Sequence, residues 1–106
     1  MAKYLFQASY TADGVKGLLK EGGSARRTAV EALATSMGGT IESYYYAFGK
    51  HDLYIIADVA DHASAAAIAL TVGASGAANV TTTVLLTTAE VDAAAKKSPT
   101  YRAPGM

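Results

Sequence analysis

Apolar and polar residues alternate from the start of the chain. Tyr4, Phe6, Ala8 and Tyr10 fall on one side of an extended segment, Lys3, Leu5, Gln7 and Ser9 on the other. This period of two predicts a strand over residues 3–10. The next stretch, TADGVKGLLKEGG, predicts a short helical turn that Gly17 weakens and the Gly22-Gly23 pair ends. Ser24 is placed to cap a longer helix through Met37, with Val30, Leu33 and Met37 as its apolar stripe and Gly38-Gly39 as its stop. Residues 13–37 are therefore expected to be one helical region with a break. Alternation returns over Thr40–Phe48 and His51–Val59, predicting two strands joined by a tight turn centred on Gly49-Lys50. Asp61 is positioned to cap a helix from about His62 to Val72, the GASGAAN stretch reads as a loop, and Val80–Leu86 reads as a fourth strand. Thr87 and Glu90 have the spacing of a capping box for a last helix ending at Lys96-Lys97, where two cations suit the helix dipole and Ser98-Pro99 stops it.

The order β-α-β-β-α-β with a terminal helix predicts an α+β, ferredoxin-like domain over residues 1–98, its two main helices covering one face of a four-stranded antiparallel sheet. In the second strand Glu42, Tyr44, Tyr46 and Phe48 alternate with Ile41, Ser43, Tyr45 and Ala47; in the third, Leu53, Ile55, Ala57 and Val59 alternate with Tyr54, Ile56 and Asp58. Neither set is polar enough for a solvated face. The uncovered side is therefore expected to meet a second copy, giving a homo-oligomer built through the sheet. In the tail, residues 99–106, Tyr101 and Arg102 are expected to dock on a neighbouring subunit.

Composition supports an interface and narrows the partners. Apolar residues make up 51% of the 106 and charged residues only 17%. Nine basic and nine acidic side chains cancel, so nothing marks a site for nucleic acid or anionic lipid. Without cysteine there is no disulfide, thiolate metal site or thiol nucleophile. The opening MAKYLFQASY lacks the apolar core of a signal peptide, and the run Ala63–Leu70 is too short to cross a bilayer, so a cytoplasmic location is expected.

Four features carry candidate chemistry. His51, beside Asp52, has the titration range of a general base or metal ligand, although strand neighbours point to opposite faces. The competing reading makes Gly49 a positive-φ turn residue and Asp52 an acceptor of backbone hydrogen bonds at the hairpin end. Tyr44, Tyr46 and Tyr54, placed on one side of the hairpin, with Tyr4 and Tyr10 on a neighbouring strand, would suit a planar aromatic ligand in an apolar cavity or serve as core and interface residues. Arg26 and Arg27 stand in the first turn after Ser24, where the dipole disfavours cations. They either bind a carboxylate or phosphate or pair with Glu21 and Glu31. His51 and His62 lack metal-site spacing, and GASGAAN lacks the lysine and adjoining hydroxyl residue that end a phosphate-binding loop, so no cofactor or metal is expected.

The stretches YLFQASYTADGVKGLLKEGGSARRTAVEALATSMGG, SYYYAFGKHDLYIIADVADHASAAAIALTVGASGAANV and TTTVLLTTAEVDAAAKKSPTYRAPG together resemble the GYD domain family of the dimeric α/β-barrel superfamily. The family signature is Gly-Tyr-Asp; here Gly49 and Asp52 match, and His51 stands where the tyrosine would be. The resemblance implies a ferredoxin-like fold and assembly through the sheet. It implies little about chemistry, since the superfamily spans monooxygenases, isomerases and haem proteins. Three functions fit the residues: a small-molecule-binding homo-oligomer, a cofactor-independent monooxygenase or isomerase acting on a small aromatic substrate, and a self-assembling structural protein.

Overall fold

The computed structural model describes residues 2–106. Its elements run β1 (Ala2–Tyr10), α1 (Ala12–Glu21), α2 (Gly23–Ser36), β2 (Thr40–Tyr46), β3 (Leu53–Val59), α3 (His62–Ala74), β4 (Ala78–Leu85) and α4 (Thr88–Ala95). The four strands form one antiparallel sheet in the order β2-β3-β1-β4. This is an α+β, ferredoxin-like architecture with an extra helix at the C-terminus.

The first helical region differs from expectation. α1 is a full ten-residue helix rather than a turn. An interior glycine such as Gly17 costs about 1 kcal/mol; the Thr11 hydroxyl, which accepts the Gly14 N–H at 3.2 Å, returns a similar amount as a cap. Gly14 is also obligatory for the packing, because a Cβ there would collide with the Ala77 carbonyl. The break before α2 is a single residue. Gly22 has φ 85° and donates its N–H to the Leu18 carbonyl at 2.7 Å, closing α1 and opening α2 at once. Because that positive-φ residue interrupts the helix, α2 begins directly after it and ahead of Ser24, which lies inside the first turn and does not cap it.

The later caps agree with the sequence. The Asp61 carboxylate accepts the Ser64 N–H at 2.7 Å, and Thr87 and Glu90 form a reciprocal capping box. These hydrogen bonds from N–H groups hold both carboxyls below the usual carboxylate range. The strand ends differ from what alternation alone indicates: β2 and β3 stop short of the hairpin, so that Phe48 and His51 lie in the connection, whereas β4 starts two residues early at Ala78, so GASGAAN is divided among α3, a short turn and β4.

The covered face carries the core. Tyr4, Phe6, Ala8, Leu53, Ile55, Ala57 and Val59 are buried beneath Ala34 of α2 and Ala65 and Ile68 of α3. Tyr4 and Val59 are almost wholly enclosed, and the Tyr4 hydroxyl is within 2.6 Å of His62 Nδ1 at the start of α3. Cross-strand pairing assigns the faces. Tyr44 lies opposite Ile55 and Ile41 opposite Ala57, yet two residues lie between Ile41 and Tyr44 where one lies between their partners. Glu42 is the extra residue, a β-bulge that turns both Ile41 and Tyr44 inward. Its own carboxylate reaches Lys3 Nζ at 3.1 Å on the uncovered face, where Asp58 also meets Lys3 at 3.0 Å. The hydrogen bonds to Asp58 and Glu42 raise the Lys3 pKa.

Candidate functional site

A cavity of about 220 Å³ lies between the sheet and the two helices that cover it. Phe6 and Ile55 form its floor, Val30 and Leu33 of α2 one wall, and Ile68 and Val72 of α3 the other. Alternation on the strands and the 3.6-residue spacing on the helices supply these side chains, so the interior is apolar for the same reason that the fold forms.

Polar groups gather at one end. Tyr10, the last residue of β1, and Arg26, in the first turn of α2, line the cavity there, together with Thr71 and Ser75 near the C-terminus of α3. Beside them runs a short chain of hydroxyls. Tyr46 donates to the Gly23 carbonyl at 2.9 Å, which commits its proton, so the Tyr44 hydroxyl, 3.2 Å away, donates to Tyr46. The two rings meet edge to face at 5.4 Å. Burial raises the Tyr44 pKa strongly, and the bond its hydroxyl donates to Tyr46 adds to the shift. Burial raises that of Tyr10 as well, and the nearby Arg26 charge opposes this only in part. At neutral pH both are uncharged phenols.

The arginines separate. Arg26 contributes to the cavity and makes a loose 3.4 Å contact with Glu21. Arg27 is exposed, lies 5.5 Å over the Tyr44 ring, and stands 3.9 Å from Glu31. Both carboxylate pairs are exposed enough to hold the arginines only weakly.

The third tyrosine and the histidine belong elsewhere. Tyr54 pairs with Tyr45 and Gln7, so it faces away from the cavity, and the grouping of Tyr44, Tyr46 and Tyr54 on one side is not formed. The inward residues Tyr44 and Ile55 are each adjacent in sequence to outward ones, which fixes this division. His51 is half-buried on that same outer side: its Nδ1 is 3.2 Å from Ser9 Oγ and its ring stands edge-on to Tyr54 at 6.0 Å. Asp52 turns the other way. Its carboxylate accepts the Tyr10 N–H at 2.8 Å, while its own N–H donates to the Ala8 carbonyl at 2.8 Å. Gly49 is not among the positive-φ glycines; the Ala47 N–H to Asp52 carbonyl bond at 2.9 Å closes a wider connection than a two-residue turn. His62 contacts Tyr4 near one end of β1 and His51 contacts Ser9 near the other, so the two imidazoles do not meet within the chain. Among the described residues no cluster of three or more potential ligands is arranged for a metal ion, and no helix is long and apolar enough to cross a membrane.

Thr71 and Ser75 are the polar cavity residues that pattern reading passes over. Tyr10 was legible as inward-facing, but its place at the polar end depends on how α2 and α3 straddle the sheet.

The family model of the GYD domain matches residues 4–95. The chain belongs to the GYD domain family. The matched residues include the cavity lining and the hairpin, where Asp52 holds β1 through the Tyr10 N–H. Comparison with curated proteins and with solved structures gives no match.

Proposed function

We propose that this GYD-domain protein is a homo-oligomer that binds a small, mainly apolar molecule in the cavity between sheet and helices. The observation that carries the reading is the cavity itself: apolar walls with a guanidinium and a phenol confined to one end, the usual composition of a ligand pocket. The hydroxyls of Tyr44 and Tyr46 back that end. Catalysis through His51 has less support, because a molecule in the cavity is separated from His51 by the sheet.

Two features support assembly. The outer face of the sheet exposes apolar side chains, with Tyr45 72% exposed beside half-buried Leu5, Tyr54 and Ile56. In addition, the radius of gyration is 16.9 Å, against about 13 Å for a compact chain of this length. α4 buries none of its residues, and Leu86, Val91, Tyr101 and Met106 are exposed. An arm of this kind is suited to packing on a second copy, in keeping with a docking role for Tyr101 and Arg102.

Native mass spectrometry of protein purified without added ligand tests both halves. The expected result is a dimer or larger species carrying the mass of a small molecule. A bare oligomer that also takes up no apolar probe would leave only a self-assembling protein, and a monomer would overturn the account of the outer face.

A further inference from the structure

We infer that the molecule held in this cavity is a monoanion: an apolar body of about ten non-hydrogen atoms ending in one carboxylate, with the carboxylate against Arg26 and Tyr10. This rests on the cavity being the binding site. Size gives the first constraint. An apolar cavity of about 150 Å³ takes up benzene, and this one has about 220 Å³. Shape gives the second. The cavity reaches from Ile41 and Ala57 at one end to Tyr10 and Ala78 at the other, and Ala57 and Leu53, both on its floor, are ~13 Å apart along β3. An extended chain or a narrow ring system fits that space.

Charge gives the third constraint and decides the class. Among the lining residues Arg26 alone is charged, and no carboxylate shares the lining to receive a cationic ligand. Tyr10 is a neutral donor beside it, and the Ser75 hydroxyl already donates to the Val72 carbonyl at 2.6 Å. A neutral ligand would leave the partly exposed guanidinium at the mouth of an apolar chamber with water and its long contact to Glu21 as its partners. An anion replaces that contact with a charge-assisted pair in a less hydrated setting. Glu21 is thus a competitor that the ligand displaces.

The test is calorimetric titration of the intact protein with octanoate, octan-1-ol and octylammonium. Octanoate is expected to bind roughly tenfold tighter than octanol, and octylammonium weakest. Arg26→Gln should remove the preference for octanoate, bringing its affinity down to that of octanol measured on the same variant. Glu21→Gln should tighten octanoate alone by freeing Arg26. Equal or better binding of octanol to the unaltered protein, or octanoate binding untouched by Arg26→Gln, overturns the anion assignment yet leaves the cavity as a site. Failure of all three probes at millimolar concentration removes the cavity reading as well. Ala69→Leu, which narrows the cavity from α3, should weaken octanoate and octanol together; if it does not, the probes are binding elsewhere and both readings fall.

Discussion

The two faces of the sheet are made from the same four strands, but they hold different chemistry. On the covered face Tyr10, Tyr44 and Tyr46 stand beside Arg26 at the end of an apolar cavity. On the uncovered face His51, Ser9 and Tyr54 cluster at one end, while Lys3 lies between Asp58 and Glu42 toward the other. Neighbours in sequence, such as Tyr44 and Tyr45 or His51 and Asp52, are therefore partners in nothing. For a strand protein, a cluster of suggestive residues in sequence is divided by the pleat before any of them can act together.

The largest effect that would sharpen this comparison comes from two adjacent isoleucines. Ile55 is buried on the covered face, and Ile55→Ala should cost about 2–3 kcal/mol, toward the low end for such truncations because the side chain already borders a cavity. Ile56 lies on the outer face, so Ile56→Ala should change protomer stability by less than about 1 kcal/mol but promote dissociation on dilution. Denaturant unfolding and sedimentation at several concentrations separate the two. Equal losses in unfolding with no change in assembly would mean that the faces do not differ as described.

How much of this was legible beforehand follows from how local each signal is. The caps at Asp61 and Thr87 depend on a few consecutive residues, and both could be read directly. The ferredoxin-like, four-stranded antiparallel sheet follows from the order of the elements, which few topologies satisfy. Ser24 is a good cap by residue type, but the start of α2 is set by the positive φ of Gly22, which composition does not reveal. The bulge at Glu42 escaped for a deeper reason: residues 40–48 alternate acceptably in either register, and only pairing with β3 settles it. The cavity was legible in its ingredients and not in its location, since it depends on the spacing between two helices distant in sequence.

The next effect separates Asp52 from His51. Asp52→Ala removes the acceptor of the Tyr10 N–H and should cost about 1.5–2 kcal/mol, whereas His51→Ala should stay within about 0.5 kcal/mol. A reversed order in thermal or denaturant unfolding would mean that the outer face holds the hairpin.

Tyr44→Phe gives a smaller change at neutral pH, about 1 kcal/mol, because Tyr46 keeps its bond to Gly23. Its signature is in the pH dependence. The Tyr44 pKa is raised on folding, so the folded state holds the phenolic proton more tightly than the unfolded chain, whose tyrosines titrate near about 10. That contribution is fully present below about pH 10 and is lost as pH rises above it toward the folded value. The unaltered protein should therefore lose stability in alkali, and Tyr44→Phe should flatten the slope. An unchanged slope would mean that Tyr44 is not the buried phenol responsible.

Deleting Glu42 should have the smallest effect, and it tests why the faces are divided as they are. With the bulge residue gone, Thr40 and Ser43 still meet Asp58 and Ile56 outside, while Ile41 and Tyr44 still meet Ala57 and Ile55 inside, now in an uninterrupted ladder. Every inward residue keeps its partner. The deletion removes one exposed carboxylate from Lys3, which retains Asp58, together with the extra local twist that a bulge imparts. A cost of about 1 kcal/mol or less is expected, with the alkaline slope assigned to Tyr44 preserved. Loss of that slope would show that the strand had slipped by one residue instead, carrying Tyr44 to the outer face and Tyr45 into the core. In that event the bulge would be a requirement for placing the phenols at the cavity, and not merely an extra residue that the sheet accommodates.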